Sequence, residues 1–299
     1  MLHVIILIGF LGHFHGVYHV LEGLLWIHCW RLIWHPYILY LMDLLVAYRD
    51  DPAGFNMAQF LSKDMKKDGE LFRSEYFDLL IIDTPAISAD WLEEKYHYDG
   101  FVFLSKHAAE SGVLALTCHS TGNFSEAKFG GNNREVAIPY PDLQKLYLQK
   151  LWEHKDDFSE FQITIEATHH GPTFLNKPTI FIEIGTTEKQ WNDVSLCESV
   201  AKLVFEVMKN KSKTHPFAIC LGGTHYPEKF TSMLLEGNYA LGTVIPKHAL
   251  EFLDEELFSH ILQRNQGATA VLVDEKGLGP NKQKVLDLLS DTKLEVINL

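Results

Sequence analysis

Two adjacent histidines preceded by a carboxylate, in Glu166-Ala-Thr-His169-His170-Gly171-Pro172, form the densest group of reactive side chains in this 299-residue sequence. The run before them, Phe161 to Ile165, alternates in character with period two, and Gly171-Pro172 forbids its continuation. The histidines are therefore expected where a strand opens into a loop. Three further apolar runs end the same way, at His107, at His119 and, past the pair Gly222-Gly223, at His225-Tyr226. A single histidine at a strand end is ordinarily a satisfied hydrogen-bonding residue, whereas four such ends in one chain point to a shared site. With Glu183 on another apolar run, and Lys247, His248 and Lys276 further on, the candidate set consists of imidazoles, carboxylates and ammonium groups. Histidine and carboxylate together hold zinc with an open position, where water is acidified toward a pKa of about 7 and attacks a carbonyl. An unpaired carboxylate on an apolar strand is costly, so Glu166 and Glu183 each need a cation, a metal or a sheet edge. His97, His154, His215 and His260 lie in polar surroundings and read as surface residues.

Known short motifs are missing. The chain has no Walker A loop, no GxSxG elbow and no HExxH helix, and Gly222-Gly223 is too short for a dinucleotide fingerprint. Serine-triad and nicotinamide chemistry are thereby disfavoured.

The elements that must position these residues alternate from Met42 onward. Strands are predicted over 43–48, 78–83, 100–105, 114–119, 161–167, 179–184, 217–221, 269–273 and 294–298. Helices are predicted near 53–67, 89–96, 139–154, 188–210, 227–236, 248–265 and 280–290. Continuous apolar strands such as Leu79-Leu-Ile-Ile82 and Ala218-Ile-Cys-Leu221 imply burial on both faces, hence an α/β class with a mostly parallel mixed sheet and helices on both sides. The glycine- and asparagine-rich segment 122–134 reads as a mobile loop.

Hydrophobic residues at 46% and charged residues at 22% describe a globular chain, and four cysteines without CxxC spacing argue against disulfides or a cysteine zinc ribbon. A cytoplasmic, reducing setting follows as an expectation. The net charge of −13 disfavours a broad nucleic-acid-coating surface but leaves room for a confined RNA contact. Lys145, Lys150, Lys209, Lys211, Lys213, Lys276, Lys282 and Lys284 are the candidate phosphate contacts. Residues 1–41 differ from the rest, with only Glu22 and Arg31 fully charged and six of the sixteen histidines. They are expected to be an extension outside the working domain, 42–299, with a membrane anchor and a packed helical appendage as alternatives; His3, His13, His15 and His19 make a poor span.

The blocks Glu166 to Pro172, Phe181-Ile-Glu-Ile-Gly185, Leu104 to His107 with Ala115 to Asn123, and Leu221-Gly-Gly-Thr-His-Tyr226 together resemble the archaeal-type D-aminoacyl-tRNA deacylase family, also found in plants. The resemblance runs in order from about Met42 to the C-terminus. It implies a fold akin to peptidyl-tRNA hydrolase and nucleoside phosphorylase, and hydrolysis of the ester between a D-amino acid and the terminal ribose of tRNA, a proofreading reaction. It further implies zinc as cofactor and the 3′ end of aminoacyl-tRNA as partner, with no DNA partner and a monomeric chain. On that footing the metal ligands are His107, His169, His225 and Glu183. The catalytic residues are His170 as base, Glu166 as its orienting partner and Thr121 near the oxyanion; substrate contacts fall to His119, Gly222, Gly223, Tyr226, Lys247 and Lys276. Two rival classes remain open: a metal-free esterase like peptidyl-tRNA hydrolase, and a non-enzymatic tRNA or nucleotide binder.

Overall fold

The computed structural model describes residues 42–109, 112–211 and 214–299. The expectations for residues 1–41 and for Lys213 lie outside the described residues. Among those described, no helix is long and apolar enough to cross a membrane.

The first strands are β1 (Asp43–Tyr48), β2 (Lys66–Asp68), β3 (Leu71–Arg73), β4 (Phe77–Ile82), β5 (Gly100–Ala108) and β6 (Ala115–His119). After a short pair, β7 (Gly122–Asn123) and β8 (Glu135–Val136), come β9 (Gln162–Ile165) and β10 (Thr179–Thr186). The last four are β11 (Phe217–Leu221), β12 (Ala240–Ile245), β13 (Ala270–Val273) and β14 (Glu295–Asn298). They build an eight-stranded mixed sheet, ordered β2-β3-β4-β1-β5-β10-β6-β9, and a four-stranded sheet, ordered β12-β11-β13-β14. The centre of the large sheet, β4-β1-β5-β10, is parallel, as its continuous apolar runs require. β6 then runs antiparallel to β10, and β9 pairs parallel to β6. The small sheet is parallel throughout.

Helices Pro52–Leu61, Pro141–Glu153 and Val194–Lys209 bury their apolar stripes against one face of the large sheet, in a core shared with helix Glu228–Glu236 and the small sheet. Ala86, Ala89, Leu92 and Tyr96 cover Phe101, Phe103 and Phe181 on the opposite face. Helices Glu255–Arg264 and Lys282–Ser290 close the far side of the small sheet. The α/β class with a mostly parallel mixed sheet, covered on both faces, is thus the one the sequence predicts.

Several boundaries shift for a common reason. The helix predicted over 188–210 breaks where Asp193 accepts the Leu196 N–H at 3.0 Å, and the one over 248–265 breaks where Asp254 accepts the Leu257 N–H at 2.9 Å. In each, an aspartate inside a helical pattern caps a new start instead of continuing the old one. The helix predicted to reach 67 stops at Leu61, and the exposed Lys66–Asp68 joins the sheet edge. β12 was not predicted, because Gly242 and Thr243 interrupt its apolar pattern. A Cβ at Gly242 would fall 2.2 Å from Asn265 Oδ1, which accepts the Thr243 N–H across the strand.

The segment 122–134, expected to be mobile, is folded. β7 pairs with β8, and Asn123 Nδ2 donates to the carbonyls of Gly130 at 2.9 Å and Asn132 at 3.1 Å. Gly131 packs on Thr173, and the Phe129 carbonyl accepts the Gly171 N–H at 3.0 Å. The glycines serve close backbone approach rather than freedom of motion.

Candidate active site

β5 carries His107 to its end, and the parallel β10 places Glu183 beside it. Gly185 pairs with His107 and gives it room, since a Cβ there would meet His107 Cδ2 at 2.8 Å. On β6, His119 lies opposite Phe181 and stacks on its ring at 5.5 Å. The residues following β9 stitch the two sheets together. Ala167 N–H donates to the His225 carbonyl and Thr168 N–H to the Val244 carbonyl, both at 2.9 Å, while Thr168 Oγ1 accepts the Val244 N–H at 3.0 Å. This brings His225, from the loop after β11, onto Glu166.

His170 has φ of +43°, an uncommon conformation for a side-chain-bearing residue. Its carbonyl accepts the Gly122 N–H at 2.8 Å, and its neighbour Gly171 is tied to Phe129. The folded 122–136 segment therefore holds the turn in a state that costs energy, as is common where function dictates geometry.

Glu166 is 0% exposed. Its Oε1 lies 3.1 Å from His107 Nδ1, and its Oε2 lies 2.8 Å from His225 Nε2 and 3.7 Å from His169 Nε2. Neither oxygen finds a partner in hydrogen-bonding geometry among the described residues. Glu183 Oε2 sits 3.2 Å from His107 Nδ1, and Oε1 sits 3.8 Å from His119 Nε2. The far ring nitrogen of His107 meets the Tyr226 hydroxyl. His119, His169 and His170 each direct Nδ1 to a backbone carbonyl, of Ser120 at 3.0 Å, Ala167 at 2.8 Å and Gly171 at 2.7 Å. A carbonyl takes only a donor, so these rings carry a proton on Nδ1, and in their neutral form His169 and His170 keep a lone pair on Nε2. The Nε2 of His119 is a buried atom without a hydrogen-bond partner.

The electrostatics follow from this crowding. Burial opposes charge on His107, but Glu166 and Glu183 outweigh it and raise its pKa to about 10. Burial likewise opposes ionised Glu166 and Glu183, yet the surrounding rings keep both below the ordinary carboxylate value. For His119, burial is overcome by Glu183 and Glu166 and the pKa rises. Burial and the neighbouring imidazoles push His169 well down and His170 down to about 3, so both are neutral at pH 7.

Three overlapping groups offer ligand atoms within 4.8 Å of one another: His119, His169 and His170; Glu166, His169 and His225; and His107, Glu166 and Glu183. Imidazoles oriented through Nδ1 by backbone carbonyls, with bare Nε2 atoms and a bare carboxylate facing them, are the donor set that zinc takes. The predicted convergence of His107, His119, Glu166, His169, His170 and His225 is present in this geometry. His107 and His119 lie at the carboxyl ends of β5 and β6, and Glu166, His169, His170 and His225 follow the carboxyl ends of β9 and β11, whereas Glu183 lies within β10.

Other expectations change. His119, expected to touch substrate, is 0% exposed and stacked between His169, at 4.1 Å, and Phe181. Thr121, expected near the oxyanion, is buried and donates its hydroxyl proton to the Pro172 carbonyl at 2.5 Å. The Gly222 N–H is spent on the Ile245 carbonyl at 2.9 Å and cannot serve an oxyanion. His248 stays at the rim, its pKa lowered by burial and by His225. His260, expected at the surface, is half-buried and accepts the Val136 N–H at 3.1 Å. Among the phosphate candidates, Lys145 is buried and donates to the carbonyls of Leu234, Gly237 and Tyr239. Lys211 pairs with buried Asp43, Lys150 with Glu153 and Glu206, and Lys282 with Glu275. Lys284 donates to the Leu250 and Glu251 carbonyls. The sequence could not foresee these, since a lysine reads the same whether it caps carbonyls or faces solvent.

Two sheets of an α/β scaffold close over buried carboxylates and imidazoles, an arrangement suited to hydrolytic chemistry. Residues 94–297 match the family model described as D-aminoacyl-tRNA deacylase. A D-aminoacyl-tRNA deacylase of Cenarchaeum symbiosum (strain A) is 63% identical over 257 residues, covering 86% of this chain and 100% of that one. One of Ignicoccus hospitalis is 36% identical, over 85% of this chain and 98% of that one. A crystal structure of a conserved protein of unknown function superposes with a TM-score of 0.80 at 30% identity, over 86% of this chain and 95% of that one. The chain belongs to the D-aminoacyl-tRNA deacylase family, and it is an ester-hydrolysing enzyme.

Proposed function

We propose that the chain hydrolyses the ester of D-aminoacyl-tRNA at the Glu166 cluster, releasing free D-amino acid and tRNA as a proofreading step, and that zinc is its cofactor. The observation that carries the reading is the carboxylate of Glu166, fully buried, with ring nitrogens of three histidines 2.8 to 3.7 Å from its oxygens. A carboxylate so placed needs compensating positive charge, part of which the His107 imidazolium supplies, and its other oxygen faces His169 and His225. Glu166, His169 and His225 are the group that reaches the surface, His225 being exposed, and they are the residues that would hold the metal with a position left open. Zinc bound there supplies a Lewis acid toward the ester carbonyl and lowers the pKa of water.

The chain's own groups do the rest. His170, neutral with its proton on Nδ1, presents the Nε2 lone pair that accepts a proton from water. His107, bridging Glu166 and Glu183, acts as a positioning residue that keeps the carboxylates apart, and Tyr226 holds its far side. This reading moves His107 and Glu183 from ligands to support, and adds Glu166 to the ligands. The test is deacylation of matched D- and L-aminoacyl-tRNA after chelation and after zinc is restored. Turnover of the D-ester that is lost on chelation and returns with zinc is expected. Equal rates on both esters would refute the substrate, and turnover indifferent to chelation would favour the metal-free esterase.

A further inference from the structure

The small sheet has a switch point. The chain leaves β11 toward β12 on one side, and leaves its other neighbour, β13, toward β14. Segments that diverge in this way open a crevice outside the carboxyl ends of the two strands, where parallel sheets bind ligands. Here Gly222 to Tyr226 edge it after β11, and Asp274 to Gly277 after β13.

Gly222 and Gly223 have φ of +98° and +84°. The Gly222 N–H is used, but the next four amides, Gly223, Thr224, His225 and Tyr226, have no acceptor among the described residues. Consecutive free amides after such a turn form a concavity suited to an anion. Gly277 keeps it open, because a Cβ there would lie 2.6 Å from the Gly223 nitrogen.

Two lysines stand beside these amides. Lys247 donates its own N–H to the Gly223 carbonyl at 2.9 Å, and the turn bearing Lys276 packs against the turn bearing Lys247. Both side chains are exposed, and neither ammonium group has an ion pair or hydrogen bond among the described residues. Two neighbouring carboxylates are already matched, Asp274 by Lys229 at 2.7 Å and Glu275 by Lys282 at 3.7 Å. In a chain of net charge −13, two uncommitted ammonium groups beside four uncommitted amides make a local anion site.

We propose that this crevice is a phosphate-binding subsite and that it takes the phosphodiester preceding the aminoacylated nucleoside of the substrate. The proposal rests on the deacylase reading above. His225 links the two places, with its ring on Glu166 and its N–H in the crevice, so a phosphate held there tethers the ester one nucleoside away.

The experiment compares D-aminoacyl-tRNA with 2′(3′)-O-D-aminoacyl-adenosine, which lacks the phosphate, using the full chain and a Lys247→Gln, Lys276→Gln double variant. Both positions are exposed, and unchanged melting checks the fold. For the tRNA ester, KM should rise about tenfold or more at constant kcat, as for loss of a charge-assisted contact. The slope of log KM against log salt should fall by about 0.7 per lost single-strand phosphate contact. KM for the adenosine ester should be unchanged. Equal losses on both esters, or an unchanged salt slope, would overturn the phosphate subsite. Wild-type protein inert toward both esters would overturn the deacylase reading and this one with it.

Discussion

Glu166 and His170 mark the two ways in which this chain departs from ordinary residue behaviour. Glu166 is a buried anion whose oxygens lie 2.8 to 3.7 Å from imidazole nitrogens of His107, His169 and His225, which makes it the residue whose charge the cluster is built around. Glu166→Gln keeps the volume and removes the charge. Bound zinc, measured by elemental analysis of the purified protein, should fall to background, and D-aminoacyl-tRNA deacylation should drop at least ~100-fold. Zinc retained at wild-type stoichiometry would exclude Glu166 as a ligand. His170 sits in the left-handed region, which asparagine tolerates better than most residues. His170→Asn is expected to melt within a few degrees of wild type while kcat falls about 10²- to 10⁴-fold, the range for loss of a general base. A fall in KM affinity with kcat intact would assign His170 to substrate binding instead.

At the scale of elements, side chains that look functional in the sequence turn out to close helices and turns. Lys145, inside Pro141–Glu153, satisfies three carbonyls at the C-terminal end of Glu228–Glu236 and after it. Lys145→Ala should cost about 2–3 kcal/mol, because charge-assisted bonds are lost and carbonyls are left bare. Thermal melting should register this as a drop of several degrees, at roughly 2–4 °C per kcal/mol. The salt dependence of tRNA turnover should stay unchanged, and a lowered slope would restore Lys145 as a phosphate contact. Asp51 works in a similar way beside β5. It caps Pro52–Leu61 through Gly54 N–H and also accepts the Lys106 N–H and the Ser105 hydroxyl, all at 2.9 Å. It thereby locks the helix to β5 just before His107. Asp51→Ala should destabilise by about 2–3 kcal/mol and lower kcat through displacement of His107, whereas Asp51→Asn should retain most of both.

Among the described residues two sheets are joined through the segment after β9, and the proposed catalytic set falls within residues 107–225. A relative that aligns over its full length covers 86% of this chain. A protein beginning at Met42 is therefore expected to be soluble and as active as the full chain. Lower melting of the truncated form would make residues 1–41 part of the fold, and partition of the long form into vesicles would make them an anchor. The acidic balance of the molecule confines RNA contact to few groups, so the salt slope of turnover should be shallow and set by the crevice beside β13.

The sequence by itself determined the α/β class and the strand ends at which histidines gather, because the patterns involved are local: continuous apolar runs, a halting Gly-Pro, a glycine pair. Read as a resemblance, it also determined the family, since the motif blocks are long and ordered. It missed β12, where Gly242 reads as a breaker yet is required by Asn265, and it ran helices through Asp193 and Asp254, whose capping depends on which backbone amide lies in reach. Only the tertiary structure decided which partners these side chains meet. The antiparallel turn of β6 buried His119, the tie between Ala167 and His225 set an exposed imidazole on Glu166, and the Pro172 carbonyl accepts the hydrogen bond of the Thr121 hydroxyl. Each of these is a contact between residues distant in the chain. Hydrogen-bond capacity is spent on whichever partner the fold brings near, so a side chain's type fixes what it can do and its neighbours fix what it does.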